Sequence, residues 1–329
     1  MNRFLDLSAG RVMVVTDLHG DYAAYCRYRD RFFALQAAGQ ADYFLLAGDY
    51  LHTVTPQETD GSLEIVLDLL QLRQALGRAL VVLLGNHELP HLYGITISKG
   101  SLVYGPRFER AMGPHRSNIL EFFDSLPFYV RTQAGAAIAH AGACEPAATL
   151  GGLRQLREYS HQAELEKVES FLGDQDRASL RAGLGKLSDQ PYADLVAEQL
   201  GVTDPADSRY DDVLRGVLVT SLSSAFQIVW EALFNKNEDE YGELKYSRIL
   251  KAFLNSLSEG YVTQHALISG HVAVVGGHQI VAGRQLRLAS WTHANPVQAG
   301  EYLLFDAGRP IKGVEDLLSG VHSLSEMVR

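Results

Sequence analysis

The sequence predicts an α/β protein, because short apolar segments alternate with helical patterns through its first part. The apolar segments are almost uninterrupted, which is typical of strands buried on both faces of a largely parallel sheet. The chain has 329 residues, of which 47% are hydrophobic, so it can bury a sizeable core without disulfides.

The predicted elements begin in strand–helix–strand order. They are RVMVVTD (strand), YAAYCRYRDRFFALQAAG (helix), DYFLLAGD (strand), SLEIVLDLLQLRQALG (helix) and ALVVLLGNH (strand). A helix-rich tract follows, from about Leu153 to Leu257. Its uncharged segment from Gly216 to Trp230 is shorter than the roughly 20 residues of a membrane span, so we expect a buried helix there. The end is β-rich, with HALISGH, the hairpin HQIVAGRQLRLAS, and EYLLFDA.

Composition narrows the classes of partner. Lys and Arg number 29 against 39 Asp and Glu, a net charge of -10, and no basic run stands out, so we expect no nucleic-acid partner. The two cysteines, Cys26 and Cys144, cannot form a disulfide framework, and the first residues show no apolar signal core. We therefore expect a cytoplasmic protein without a membrane partner.

Polar side chains follow the predicted strands. Asp17 and His19 follow VMVVT, Asp49 follows FLLAG, Asn86, His87 and Glu88 follow VVLLG, His140 follows AAIA, and His271 follows ALISG. The carboxyl ends of strands in open α/β sheets form the ligand crevice, so these side chains are expected to converge. Carboxylates, imidazoles and an amide oxygen without a thiolate are typical ligands of Mn, Fe or Zn.

Two ions about 3.5–4 Å apart need a carboxylate that reaches both of them. Asp49, in the tight turn after the second strand, is the predicted bridge. Asp17 and His19, two apart on an extended backbone, should point the same way and hold one ion. Asn86 and His140 suit the other ion.

These motifs resemble the calcineurin-like metallophosphoesterases, and within them the serine/threonine phosphoprotein phosphatases. The family series DxHG, GDxxD, GNHE, H and GH occurs here as DLHG (17–20), GDYLH (48–52), GNHE (85–88), HAG (140–142) and SGH (269–271). The resemblance covers most of residues 11–150 and 246–310. It implies two mixed β-sheets packed as a sandwich and flanked by helices, two divalent metal ions (Mn, Fe or Zn), and a metal-bridging hydroxide as nucleophile.

The second motif departs from the phosphatases. They carry GDYVDRG, in which the aspartate orients the catalytic histidine and the arginine binds phosphate, whereas His52 and Thr53 stand at those positions here. We expect His87, which projects away from the ligands, to protonate the leaving group. His52 or Glu88 is expected to orient His87.

The last metal ligand has two candidates in SGHVAVVGGHQIV, namely His271 and His278. We prefer His271, because the resemblance implies a turn and a strand between the metal histidine and the closing hairpin, and only His271 leaves room for them. We expect its ring to hold the ion shared with Asp17 and His19.

The domain organisation and function follow from this pattern. Residues 1–150 and 258–329 are predicted to form the core, and 151–257 a helix-rich insertion or cap packed on it. We expect a metal-dependent phosphoesterase that hydrolyses phosphomonoesters, with a phosphorylated small molecule, nucleotide or phosphoprotein as substrate. Two alternatives stay open, a hydrolase of dinucleoside polyphosphates such as diadenosine tetraphosphate, and an inactive metal-binding scaffold.

Overall fold

The computed structural model describes residues 2–54, 59–99 and 102–324. The strands are β1 (Phe4–Leu7), β2 (Arg11–Val15), β3 (Tyr43–Leu46), β4 (Leu80–Val82), β5 (Ser98–Lys99), β6 (Leu102–Val103), β7 (Tyr129–Thr132), β8 (Ala136–Ala139), β9 (Ala266–Ser269), β10 (Val274–Val275), β11 (His278–Val281), β12 (Gln285–Leu288), β13 (Ala294–Asn295), β14 (Glu301–Asp306) and β15 (Val321–Ser323). The helices are α1 (Tyr22–Ala37), α2 (Ser62–Leu76), α3 (Leu89–Tyr93), α4 (Pro106–Met112), α5 (Arg116–Asp124), α6 (Leu150–Glu158), α7 (His161–Gly173), α8 (Arg177–Leu187), α9 (Tyr192–Leu200), α10 (Asp212–Leu222), α11 (Ser224–Phe234), α12 (Glu238–Tyr241) and α13 (Glu243–Leu257).

Two larger sheets, both of mixed direction, organise the chain. Sheet A has six strands in the order β1-β7-β8-β9-β12-β11, of which the pairs β7–β8 and β11–β12 are antiparallel. Sheet B has five strands in the order β15-β14-β2-β3-β4. Its strands β2, β3 and β4 are parallel, as the strand–helix–strand order predicts, while β14 joins β2 antiparallel.

The core lies between the two sheets. Val14 and Leu45 of sheet B share one buried cluster with Ile138 and Ile268 of sheet A. Complete burial of a side chain of this size stabilises the fold by about 1.5–3 kcal/mol. The predicted sandwich of two mixed sheets is confirmed.

Helices flank both sheets through aromatic contacts. Phe32 of α1 stacks on Phe44 of β3 with ring centroids 5.1 Å apart. Phe253 of α13 lies 5.4 Å from Tyr129 of β7. These contacts cover strand side chains that would otherwise face water.

The chain divides into two compact units. The first comprises Met1–His87, Leu126–Tyr159 and Ile228–Arg329, and it contains both larger sheets. The second comprises Glu88–Ser125 and Ser160–Gln227 and is mainly helical. The role of residues 151–257 as a cap, and the boundaries of the predicted insertion, stay predictions.

The uncharged segment from Gly216 to Trp230 is divided between two helices, so the expectation of one helix is wrong. α10 ends at Leu222 and α11 begins at Ser224. At the break, the Ser223 hydroxyl accepts a hydrogen bond from the backbone N–H of Phe226, as a helix N-cap does. In the part of the chain that the structure describes, no single helix has the length and apolar character of a membrane span. The bent pair formed by α10 and α11 has that length and apolar composition only when the two helices are taken together.

Candidate metal centre

The polar side chains predicted to converge do come together at the carboxyl ends of the strands. In sheet B they follow β2, β3 and β4, and in sheet A they follow β8 and β9. All of them are buried except His271, which is partly exposed. The residues gathered in this way are Asp17, His19, Asp49, Asn86, His87, His140 and His271.

One group of candidate ligands consists of Asp49, His140 and His271, whose ligand atoms lie within 4.8 Å of one another. The Nε2 atom of His140 is 2.7 Å from Asn86 Oδ1 and 3.4 Å from Asp49 Oδ1. Its Nδ1 is 2.9 Å from the Ala47 carbonyl oxygen. A neutral His140 ring that donates from Nδ1 has no proton on Nε2, so Nε2 is an acceptor. The three acceptor atoms His140 Nε2, Asn86 Oδ1 and Asp49 Oδ1 therefore lie together, as ligand atoms do around a cation.

A second group consists of Asp17, His19 and His293. The Nδ1 atom of His293 lies 3.1 Å from Asp17 Oδ1. His293 is not among the ligands predicted from the sequence, although it follows β12 in the way that the other candidate ligands follow their strands. The strand-end pattern could therefore have identified it.

The expected position of the His271 ring beside Asp17 and His19 is wrong. The backbone N–H of His271 faces Asp17, at 3.0 and 3.1 Å from its two carboxylate oxygens. The ring instead lies with His140, with centroids 5.0 Å apart. Gly270 permits this approach, because a Cβ there would come within 2.0 Å of Asp17 Oδ2.

Asp49 lies between the two groups. Besides its place with His140 and His271, it forms a third group with His19 and His87. Its Oδ2 is 3.8 Å from Nε2 of His19, and its Oδ1 accepts a hydrogen bond of 3.0 Å from the backbone N–H of His87. A main-chain hydrogen bond therefore orients the Asp49 carboxylate, and imidazole rings lie on both sides of it.

Several site residues have a left-handed backbone. The φ values are 48° for Asp17, 45° for His19, 53° for Asp49, 64° for His52 and 70° for His271. Asp and His adopt this region more readily than most residues, and such conformations cluster at functional sites. The expected extended backbone at Asp17 and His19 is therefore wrong, and their side chains converge through a turn.

His87 and His52 form a pair beside the carboxylate. Their Nδ1 atoms are 3.0 Å apart, so one ring donates to the other. The opposite nitrogen of His87, Nε2, lies 4.0 Å from Asp49 Oδ2. Glu88 is buried directly before α3, in the second compact unit, and its orienting role stays a prediction.

The electrostatics of the cluster fit a divalent cation. Burial, together with the charge of Asp17, raises the pKa of Asp49 well above its usual value. Burial lowers the pKa of His19 to about 3 and holds the pKa values of His87 and His271 well below 6.5. Neutral imidazole is the metal-binding form, and a bound cation would stabilise the ionised Asp49 carboxylate. The Nε2 atom of His19 is buried and has no hydrogen-bond partner in the part of the chain that the structure describes, which also fits a metal ligand.

His278 lies apart from these groups. It is on β11, and its Nδ1 is 2.7 Å from Glu301 Oε2. None of the three candidate groups found in residues 2–54, 59–99 and 102–324 contains it.

Comparisons with known proteins found one family model and several solved structures that are similar to this chain. The family model described as calcineurin-like phosphoesterase matches residues 10–200. A protein serine/threonine phosphatase from Saccharomyces cerevisiae has a similar fold, with a TM-score of 0.50, 15% identity, and coverage of 92% of this chain and 76% of that one. A cold-active protein-tyrosine phosphatase of the psychrophile Shewanella sp. is 15% identical, with a TM-score of 0.41 and coverage of 92% and 77%.

A putative diadenosine tetraphosphatase is 21% identical over 44% of this chain and 57% of its own, with a TM-score of 0.29. No curated protein matches the sequence. The family model covers more than half of the chain, and its members are hydrolases that use divalent metals. The chain therefore belongs to the calcineurin-like phosphoesterase family.

Proposed function

We propose that this phosphoesterase hydrolyses phosphomonoesters with two divalent ions, Mn, Fe or Zn, held at the cluster around Asp49. The observation that carries the proposal is the presence of candidate ligands on both sides of one carboxylate. When bound, two such ions lower the pKa of water so that it serves as nucleophile at neutral pH, and they neutralise phosphoryl charge. The chain supplies the oxygen and nitrogen donors that hard and borderline cations prefer.

The ligands divide around Asp49. Asp17, His19 and His293 would hold the first ion, Asn86, His140 and His271 would hold the second, and Asp49 would contact both. The Nδ1 contact of His140 with the Ala47 carbonyl fixes the ring so that Nε2 faces Asn86 and Asp49, where the second ion would be held.

His87 is the proposed general acid. Its Nε2 faces the cluster and its Nδ1 faces His52, the orientation in which a ring can donate a proton on one side and be held on the other. Burial lowers the pKa of the His87 ring, so in this proposal the negative charge of a bound phosphoester favours the protonated ring that donates to the leaving group. His52 acts as a positioning residue in this proposal. A neutral imidazole stabilises a protonated His87 less than a carboxylate does. The His52–His87 pair should therefore support general acid catalysis less strongly than an Asp–His pair.

Substitution of His52 tests this arrangement. His52→Ala should lower kcat for poor leaving groups by about tenfold or more, with KM and metal content unchanged, because the His87 ring loses its partner. His52→Asp should preserve or raise that kcat, since aspartate also tolerates the left-handed backbone. Steady-state kinetics on alkyl and aryl phosphates provide the comparison. Equal kcat for the wild type and His52→Ala on both classes would reject the positioning role.

Metal stoichiometry tests the division of ligands. His293→Ala and His271→Ala should each lose one bound equivalent, because each removes a ligand of a different ion. His293→Ala combined with Asp17→Asn should lose no more than His293→Ala alone, whereas His293→Ala with His271→Ala should lose both ions. His278→Ala is the matched control and should keep two. Loss of metal from His278→Ala with retention in His271→Ala would overturn this division.

A substrate panel with added Mn tests the activity itself. We expect turnover of p-nitrophenyl phosphate and of at least one phosphopeptide or small phosphomonoester, in preference to diadenosine tetraphosphate. Preferential hydrolysis of the dinucleotide would replace the phosphomonoesterase proposal with the dinucleoside polyphosphate hydrolase. Bound metal without turnover of any phosphoester would instead support the scaffold.

A further inference from the structure

The segment that carries His293 is joined to the start of α1 by one tryptophan side chain. The indole N–H of Trp291 donates a hydrogen bond of 2.6 Å to Asp21 Oδ2. Asp21 is the N-cap of α1, and its Oδ1 accepts the backbone N–H of Ala24 at 2.8 Å. Hydrogen bonds to an ionised carboxylate are shorter and stronger than those between neutral groups. Each oxygen of Asp21 therefore has its own partner, one within the helix and one on the His293 segment.

Two further residues of α1 contact the same segment. The guanidinium carbon of Arg27 lies 4.2 Å from the centre of the Trp291 ring, which is a cation–π contact. The hydroxyl of Tyr28 donates a hydrogen bond to the main-chain carbonyl of Ser290. The side chain of Trp291 is half-buried. It is therefore held at its N–H edge by Asp21 and over its ring by Arg27.

The residues that follow Trp291 contact the candidate ligands of the first ion. The backbone N–H of Thr292 donates to the main-chain carbonyl of Asp17 at 3.2 Å. The next residue, His293, has its Nδ1 3.1 Å from Asp17 Oδ1. Its ring centroid lies 4.9 Å from that of His19. The contact with α1 and the contact with the candidate ligands are therefore two residues apart on one short segment.

The position of this segment gives the tryptophan contact a consequence for metal binding. Residues 290–293 lie between β12 and β13, outside any helix or strand. A ligand on such a segment loses conformational freedom when it binds an ion, and a contact that already fixes the segment reduces that loss. The hydrogen bond of Trp291 should therefore raise the affinity for the ion that His293 would hold.

We propose that Trp291 is a positioning residue for the first ion, which holds His293 toward Asp17 through its hydrogen bond to Asp21. This inference rests on the two-ion centre of the proposed function and adds a residue that sets the affinity of one ion. Arg27 supports the indole ring and does not contact the ion in this proposal. Outer contacts that orient a metal ligand commonly change metal affinity by about 10- to 100-fold.

The first test measures Zn²⁺ affinity of the full chain against a competing chelator. Trp291→Phe keeps an aromatic ring but loses the N–H, and Asp21→Ser keeps an N-cap side chain but loses the acceptor of the indole. Each should weaken the first ion by about tenfold or more and leave the second unchanged. Because Trp291→Phe keeps the charge of Asp21, a loss in this variant is not a simple charge effect. Asp176→Ser, at the N-cap of α8, is the matched control and should change neither affinity.

Double variants test whether Trp291 acts through His293. His293→Ala removes the ligand, so adding Trp291→Phe should cause no further loss of Zn²⁺ affinity. His271→Ala removes a ligand of the second ion instead. In that background, Trp291→Phe should still weaken the remaining ion by about tenfold. A further loss of affinity in the double variant with His293→Ala would contradict the positioning role.

The indole N–H provides a second readout. If its hydrogen bond strengthens ion binding, the ion must stabilise that hydrogen bond by the same factor. The chain has two tryptophans, and Trp230→Phe leaves Trp291 as the only indole signal in nitrogen-15 NMR spectra. Exchange of this N–H with solvent should slow on addition of Zn²⁺, by a factor similar to the affinity lost in Trp291→Phe. In His293→Ala it should not respond. A tryptophan with only a structural role would show no such response.

Unchanged affinity for both ions in Trp291→Phe would overturn the inference. An equal loss of both ions would also overturn it, since it would indicate a general effect on the fold. Selective weakening of the first ion, in a chain that hydrolyses no phosphoester, would support the positioning role and reject the proposed activity. Because Zn²⁺ titrations and hydrogen exchange need no turnover, the two failures are distinguishable.

Discussion

Asp49→Asn is expected to abolish phosphoester hydrolysis and to lower metal occupancy at both positions while the fold persists. Asp49 shares one group of candidate ligands with His140 and His271 and another with His19 and His87. An asparagine keeps the shape but loses the charge that offsets two divalent ions, so both ions bind more weakly. Metal analysis by mass spectrometry, with circular dichroism as the measure of folding, provides the readout.

The matched control for this substitution is Asp306→Asn. Asp306 ends β14, where it pairs with Arg11 at the amino end of β2, away from the carboxyl end of β2 that leads to Asp17. It should keep two ions and full turnover. Two tightly held ions and normal turnover in Asp49→Asn would show that Asp49 is not the bridge.

His87→Asn should reduce turnover of poor leaving groups by about 10²–10⁴-fold, the usual contribution of a general acid. Metal content should stay at two, because in the proposed mechanism His87 moves a proton and does not hold an ion. The loss should be smaller for p-nitrophenyl phosphate, whose leaving group needs little protonation. Rates on alkyl and aryl phosphates, measured on the same metal-loaded preparation, separate these effects.

His265→Asn serves as the control for His87→Asn. His265 precedes β9, at the opposite end of that strand from His271, and should affect neither rate nor metal content. The ring of His87 also lies within ligand distance of His19 and Asp49. Loss of an ion from His87→Asn, with an equal rate loss for both leaving groups, would assign His87 as a metal ligand and remove the general-acid role.

Much of the fold and the site could be predicted because each candidate ligand follows an apolar strand. Asp17 follows β2, Asp49 follows β3 and His140 follows β8, and buried strands are easily identified as continuous apolar runs. The carboxyl ends of the strands then meet at one edge of the sandwich. Spacing along the chain was enough to find these positions.

The direction of each ring could not be predicted in this way. His271 contacts Asp17 through its backbone N–H, and its ring turns toward His140, because a left-handed residue follows Gly270. One change of φ redirects a side chain without altering the sequence spacing. The prediction did not include His293, because the sequence of β12 predicts one strand of a closing hairpin rather than a strand that leads into the site.

Metal removal and readdition tests the central claim, a two-ion phosphoesterase, most directly. The chain would be stripped with a chelator and titrated with Mn²⁺, while bound metal and p-nitrophenyl phosphate turnover are measured on the same samples. We expect no turnover without metal and recovery that follows occupancy of the second of two sites. Turnover by the metal-free chain, or two bound ions with no turnover of any phosphoester, would contradict the account.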